Sequence, residues 1–258
     1  MNKETKEICE LLDRLADASA YDLELSNGLV VKCKQLSTSQ LREFVKTIAD
    51  SPLTQVVFNS TTTKIFKESI INLPTEHQLN VFDRLLFLIE TRIRSISPFL
   101  ELTNSDNETT SVDLNAIKAK LLTAIKQNQS ILEKKPVVSE QISLTVESPT
   151  LDTEQRLNEE IYKDLNIAEA DSEQVKQLIA DFFVYEIVKH ILSITIEGEI
   201  IDFSNHSFKD RVNILQKLPA KCTQQVIDYI EKQTLLLDDV LTINGMYLSI
   251  DSSFFAIY

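Results

Sequence analysis

Glycine is scarce in this chain, whose 258 residues include only Gly28, Gly198 and Gly245. A phosphate-binding loop needs several glycines close together, because the backbone must approach the phosphate oxygens. The wide spacing of these three excludes such a loop. Each of them falls between two short alternating segments, so the pattern assigns all three to turns and leaves none for a ligand site.

Cysteine and histidine are equally few. Cys9, Cys33 and Cys222 are scattered, and no CxxC pair occurs, so we expect neither a disulfide framework nor a zinc site. His190 follows Glu186 by four residues, which is half of an HExxH arrangement, but no second histidine is near in sequence. We therefore predict a structural histidine at position 190, no metal ion and no cofactor.

Long apolar runs are also missing. The longest is LLFLI at 85–89, far below the roughly 20 residues that a membrane-spanning helix needs. The first ten residues carry charges and no apolar core, unlike a secretory signal. We therefore expect that the chain has no membrane segment and stays in the cytoplasm, where it is made.

Positive charge is in short supply: 26 Lys and Arg face 39 Asp and Glu, for a net charge of −13. Residues 151–258 hold 19 acidic and nine basic side chains and so carry most of the excess. Such a chain repels phosphate backbones, and we expect no nucleic-acid binding. The acidic surface is either simply solvated or faces a basic partner protein.

Three hairpins are predicted from the turn residues. Asn27–Gly28 separates the alternating segments of 21–34, the second hairpin turns near Gly198, and Asn244–Gly245 forms the third. The hairpin at 21–34 is either a core element of its module or a docking edge to which a partner adds a strand.

The rest of the pattern is mainly helical. A capping box is predicted at Ser37 and Gln40, and a similar one at Ser207 and Asp210. Residues 80–99 predict a buried central helix, 142–146 a half-buried strand and 171–194 a long helix. The fold class is therefore α+β, predominantly helical with short antiparallel β-hairpins, in two modules.

The predicted domain organisation follows from one polar stretch. TNSDNETTS at 103–111 has no large apolar residue and is the best linker in the chain. It would separate an N-terminal hairpin-plus-helices module, 1–102, from a C-terminal helical module with hairpins, 112–258.

Candidate chemistry is sparse, and we assign no catalytic residue. Cys222 has no flanking signature of a nucleophile, and the serines of IDSSFF, at 250–255, lack a hydrolase context. Charged residues interrupt the apolar helix at 80–99 and suit either an ion-pair network or anion binding; they are Asp83, Arg84, Glu90, Arg92 and Arg94. The terminal aromatics Phe254, Phe255 and Tyr258 either dock the tail onto the core or anchor a partner.

The order of these pieces resembles the baseplate proteins of T-even-like contractile-tailed bacteriophages, specifically the hub component or hub-assembly family. The likeness covers most of the chain but spares the linker and 134–170. It rests on four stretches: LELSNGLVVKCKQLSTSQLREF; SPLTQVVFNSTTTKIFKESI with FDRLLFLIETRIRSIS; EIVKHILSITIEGEIIDFSNHSFKDRVNILQKLPAKCTQQVIDYIE; and LTINGMYLSIDSSFF.

That resemblance implies a non-enzymatic role in the tail baseplate hub, exerted through interfaces with other baseplate or hub proteins. It also implies residence in the virion, after a period in the host cytoplasm during assembly. Two alternatives stay open: a hub-assembly chaperone absent from the mature virion, and a small cytosolic enzyme whose site is assembled from distant residues.

Overall fold

The computed structural model describes residues 8, 11, 19–46, 54–104, 106–132, 135–139, 142–163, 180 and 183–255. These form an α+β fold in which helices predominate and every paired strand is antiparallel. They fall into two compact units, the first drawn from 1–77, 82–126 and 240–258, and the second from 78–81 and 127–239.

The helices and strands alternate irregularly along the chain. The helices are α1 (Thr38–Lys46), α2 (Thr54–Ser69), α3 (Val81–Ser95), α4 (Leu114–Gln127), α5 (Gln129–Leu132), α6 (Leu151–Lys163), α7 (Phe208–Leu215) and α8 (Ala220–Leu241), with a further helical segment at 183–188. The strands are β1 (Tyr21–Glu24), β2 (Val30–Cys33), β3 (Phe99–Thr103), β4 (Thr109–Asp113), β5 (Lys135–Ser139), β6 (Ile142–Val146), β7 (Ile191–Ile196), β8 (Glu199–Asp202), β9 (Thr242–Ile243) and β10 (Met246–Tyr247).

The first hairpin, β1–β2, is a core element of the first unit. Its inward-facing apolar residues, such as Leu23 and the opposed Val31, are buried, whereas Val30 is exposed. Its turn differs in detail from a two-residue loop, because only Gly28 takes a positive φ, of 85°. The Asn27 side chain instead accepts a hydrogen bond from the backbone N–H of Leu29 at 2.9 Å. The predicted Ser37–Gln40 capping box is present at the start of α1.

Helix α3 is the buried central helix that the sequence predicts. Its apolar residues from Phe82 to Ile89 are nearly all excluded from solvent. Phe87 stacks on Phe66 of α2, with ring centroids 4.4 Å apart. An apolar surface on almost every side suits a helix that is surrounded by other elements.

The stretch that the sequence predicts as a linker, 103–111, instead forms most of the β3–β4 hairpin. The hairpin register runs from Phe99 opposite Asp113 to Thr103 opposite Thr109. The Asn104 side-chain oxygen accepts hydrogen bonds from the backbone N–H groups of Asp106 and Glu108, at 2.9 and 2.8 Å. This local bonding makes a tight turn of residues that composition alone would leave irregular.

The division of the chain also differs from modules 1–102 and 112–258. Residues 114–126 of helix α4 and residues 240–255 belong to the first unit together with the N-terminal elements. Residues 78–81 belong to the second unit, where the backbone of Leu79 accepts from Leu151 at 2.8 Å. Such returns depend on long-range packing, and no local composition shift marks them.

The second unit is built on one antiparallel sheet of order β5-β6-β7-β8. Leu144 and Ile194 are opposed on its buried face, which packs with Val226 and Tyr229 of α8. The predicted strand at 142–146 is confirmed as β6. The predicted helix at 171–194 lies partly outside the described residues, and its last four residues belong to β7 instead, where the β-branched run ILSITI favours a strand.

The remaining two hairpin turns match the sequence pattern. Glu197 and Gly198 join β7 to β8 with φ values of 51° and 86°, and Asn244 and Gly245 join β9 to β10 with 50° and 79°. Two consecutive residues at positive φ are what a two-residue type I′ turn requires. None of the helices within the described ranges has the length and apolar character that a membrane crossing requires.

Candidate functional site

The charged residues of α3 form structural ion pairs and hydrogen bonds in the first unit. The buried carboxylate of Glu90 lies 2.7 Å from Arg94 Nε and 2.5 Å from Lys118 Nζ of α4. Both oxygens of Glu90 are therefore paired with protein cations. This geometry fits the ion-pair alternative for the charges of this helix.

Asp83 and Arg84 fasten other elements to α3. The buried Asp83 carboxylate accepts from the backbone N–H of Ser26, in the β1–β2 turn, at 2.7 Å. Arg84 donates to the Thr63 hydroxyl of α2 at 3.0 Å. Buried charges held by hydrogen bonds in this way avoid most of their desolvation penalty and fix the positions of their partners.

The terminal aromatics lie in the core of the first unit. Phe254 and Phe255 are each 2% exposed, and the Phe255 ring lies 4.7 Å from that of Phe44. Arg92 donates to the backbone carbonyl of Phe254 and lies 5.2 Å from its ring centroid. These two rings therefore dock the tail onto the core, which is the first of the two predicted alternatives, and they are not exposed anchors. Tyr258, the third predicted partner-binding residue, lies outside the described residues.

Asp251 of IDSSFF caps a short turn. The Asp251 carboxylate accepts from the hydroxyls of Ser249 and Ser253, at 2.6 Å each, and from the backbone of Ser253 at 2.7 Å. Burial raises the pKa of Asp251, but these hydrogen bonds outweigh it and hold the pKa below its usual value. The carboxylate thereby fixes the 3-10 turn Ser252–Phe255 that carries the aromatics.

His190 is a buried residue of the second unit, as the sequence predicts. It is 4% exposed, its Nδ1 lies 2.7 Å from the carbonyl oxygen of Glu186, and its ring meets Tyr229 edge-on. Burial, reinforced by the charge of Lys189, lowers the pKa of His190 to about 3. The imidazole is therefore neutral at physiological pH, and Nδ1–H donates to the carbonyl.

Cys222 is a buried free thiol of the same core. Within the described part of the chain, no group of three or more His, Cys, Asp or Glu side chains is placed to hold a metal ion.

The β3–β4 hairpin of the first unit has one fully exposed face. Its two faces differ: Val112 is buried and Leu100 and Leu102 are half-buried, whereas every residue of the opposite face is exposed. We call this opposite face the outer face, and it consists of Phe99, Glu101, Thr103, Thr109, Ser111 and Asp113.

The outer face combines one aromatic ring with acidic neighbours. Phe99 is 57% exposed and lies opposite Asp113, with Glu101 two residues along the same strand. The whole segment 99–113 has four acidic residues and no Lys or Arg. Aromatic residues are enriched at protein–protein interfaces, whose rims are polar, so Phe99 is a candidate anchor for a partner protein.

Phe99 is the candidate residue that sequence reasoning missed, because the predicted helix 80–99 included it and the predicted linker 103–111 overlapped the rest of its hairpin. The sequence does contain a strand pattern here. In FLELT two leucines alternate with other residues, and three of the five residues of TTSVD are β-branched.

Comparison of the chain with protein-family models, with curated proteins and with solved structures found no match. The resemblance to phage baseplate proteins therefore rests on the sequence stretches that carry it.

Proposed function

We propose that this chain is a non-enzymatic phage baseplate protein, a structural component or adaptor of the tail baseplate hub. It acts through interfaces with other baseplate or hub proteins, in the virion tail and, during assembly, in the host cytoplasm. The four sequence stretches support the baseplate assignment. The exposed outer face of β3–β4 supports action through an interface, and Phe99 is the single observation that carries this part.

The outer face has the size of one patch within a larger interface. Five residues of strand span roughly 17 Å, and two paired strands lie about 5 Å apart. An aromatic side chain buries 150–250 Å² when it enters a pocket, so Phe99 can supply a large share of the binding energy of such a patch. Glu101 and Asp113 flank it and favour a partner with Lys or Arg around its pocket.

The second candidate function is a hub-assembly chaperone that is absent from the mature virion. The observation that favours it is the net charge of −13, because a strongly acidic protein can keep a sticky, basic partner soluble before that partner is built in.

Quantitative mass spectrometry of purified tailed particles, normalised to a known tail protein, tests the proposal. A fixed low copy number per particle supports a baseplate component. Absence from particles, together with recovery from infected-cell lysate on hub precursors, supports the chaperone. Absence from both would contradict the baseplate assignment.

A further inference from the structure

The second unit has an open sheet edge at β8. β8 pairs with β7 on one side, and among the described residues no strand pairs with its other side. Edge strands present unpaired backbone groups, and proteins normally protect them with proline, lysine or a covering segment. The opposite edge of the same sheet follows this rule, because β5 contains Lys135 and Pro136. β8, with the sequence EIID, contains neither proline nor lysine, and its only charged residues are acidic.

The turn geometry shows which backbone groups face this edge. In a two-residue hairpin the pair next to the turn, here Ile196 and Glu199, exchanges both hydrogen bonds. The next pair, Thr195 and Ile200, does not, since the pattern alternates along an antiparallel ladder. The N–H and C=O of Ile200 therefore point away from β7 and toward the open edge.

The Ile200 side chain adds an apolar contact at the same position. It is 70% exposed, which is more than any other large hydrophobic side chain in the described ranges. Ile200 pairs with Thr195 of β7, which pairs in turn with Ser143 of β6. It is therefore an apolar residue at the end of a cross-strand row of hydroxyl side chains. An added strand would cover Ile200 and satisfy both of its backbone groups at once.

Charge selects the occupant of this edge. Glu197 and Glu199 lie in the turn and in the strand, and the sequence has no Lys or Arg between Lys189 and Lys209. Two copies of β8 side by side would bring these carboxylates together, and like charges on neighbouring strands are destabilising. A strand with Lys or Arg between apolar residues would instead pair its cations with them.

We propose that the outer edge of β8 binds an extended segment of a partner protein in which apolar residues alternate with Lys or Arg. The segment adds a fifth strand to the sheet, with main-chain hydrogen bonds to Ile200 and ion pairs to the acidic residues around it. This inference deepens the proposed function by assigning a second surface for a partner, in a different unit from Phe99.

The test uses the whole chain and two synthetic peptides, acetyl-KVKIKVK-amide and acetyl-EVEIEVE-amide, each with a fluorescent label. Anisotropy gives the affinity, and backbone amide hydrogen exchange by NMR reports on Ile200 in the wild-type chain. We expect only the basic peptide to bind and the Ile200 amide to exchange at least tenfold more slowly when it is bound.

Variants separate the edge from general attraction to an acidic protein. Ile200→Pro removes only an outward N–H and should weaken binding at least tenfold, while Ile200→Thr keeps the N–H and should weaken it less. Glu199→Lys should weaken binding more than Glu231→Lys, its control at an exposed position of α8. Ile194 amide protection in Ile200→Pro checks that β7 stays paired.

Several results would overturn the inference. Unchanged exchange at Ile200 with bound peptide would do so even if the proline variant fails to fold. Equal binding of the acidic peptide, or wild-type affinity in a folded Ile200→Pro variant, would do so as well. A dimer in sedimentation velocity that Ile200→Thr dissociates would assign the edge to a second copy instead. None of these results depends on phage particles, so this inference and the proposed function can fail separately.

Discussion

Neutral His190 makes the second unit sensitive to mild acid. Burial, with the charge of Lys189, lowers the pKa of His190 to about 3 in the folded chain, although its hydrogen bonds with the Glu186 carbonyl and the Gln233 side chain oppose the shift. In the unfolded chain the pKa of histidine is about 6.5. Below pH 6.5 the unfolded state therefore binds a proton that the folded state does not, and stability falls as the pH falls toward 3.

The size of the effect follows from the same two pKa values. One pKa unit corresponds to about 1.4 kcal/mol, so at pH 5 the loss from His190 alone is roughly 2 kcal/mol. The free energy of unfolding should be measured by urea denaturation at pH 7 and pH 5, for the wild type and for His190→Gln. The wild type should lose roughly 2 kcal/mol more than the variant over this range.

Other groups that titrate contribute equally to both chains and cancel in this comparison. Leu235→Gln places the same residue at an exposed position of α8 in the same unit, and it should keep the wild-type pH dependence. Equal pH dependence in the wild type and in His190→Gln would refute the assignment of a buried neutral imidazole.

Three further predictions concern the first unit. Glu90→Gln should lower the free energy of unfolding in urea by on the order of 2 kcal/mol, because Lys118 and Arg94 lose a buried anion. Glu101→Gln, on the outer face, should change it very little. Equal losses in the two variants would contradict the ion-pair role. Phe255→Ala should cost about 3 kcal/mol or more as a core truncation, and a loss below about 1 kcal/mol would contradict its place in the core. Burial raises the pKa of Cys33 to about 12. Labelling of Cys33 with iodoacetamide at pH 8, located by mass spectrometry, should therefore be slow until urea unfolds the chain. Rapid labelling of the folded chain would contradict its burial.

Local signals were sufficient to predict several elements of this fold. Asn244–Gly245 and Gly198 mark their turns because few other residues adopt a positive φ without strain. The Ser37–Gln40 box and the apolar run of α3 are equally local, and the structure has both. In each case a stretch of fewer than 20 residues contains all the information that the prediction needs.

The features that could not be predicted depend on residues far apart in sequence. Whether Phe254 meets a partner or the core is decided by Arg92, which is 162 positions away. The β3–β4 turn is an exception, because Asn104 organises it through local hydrogen bonds, and composition alone indicates a linker for the same residues. The outer face of Phe99 and the open edge at Ile200 became visible only when strand pairing and exposure were known.

The central claim is that this chain joins a larger assembly through the outer face of β3–β4. The most direct test is the copy number of the protein in purified particles from phage that carry Phe99→Asp, with Leu235→Asp, at another exposed apolar side chain, as the matched control. The account predicts that Phe99→Asp is depleted from particles at least tenfold, or that particles fail to form, while Leu235→Asp is incorporated normally. Wild-type copy numbers of a folded Phe99→Asp variant in intact particles would contradict the claim.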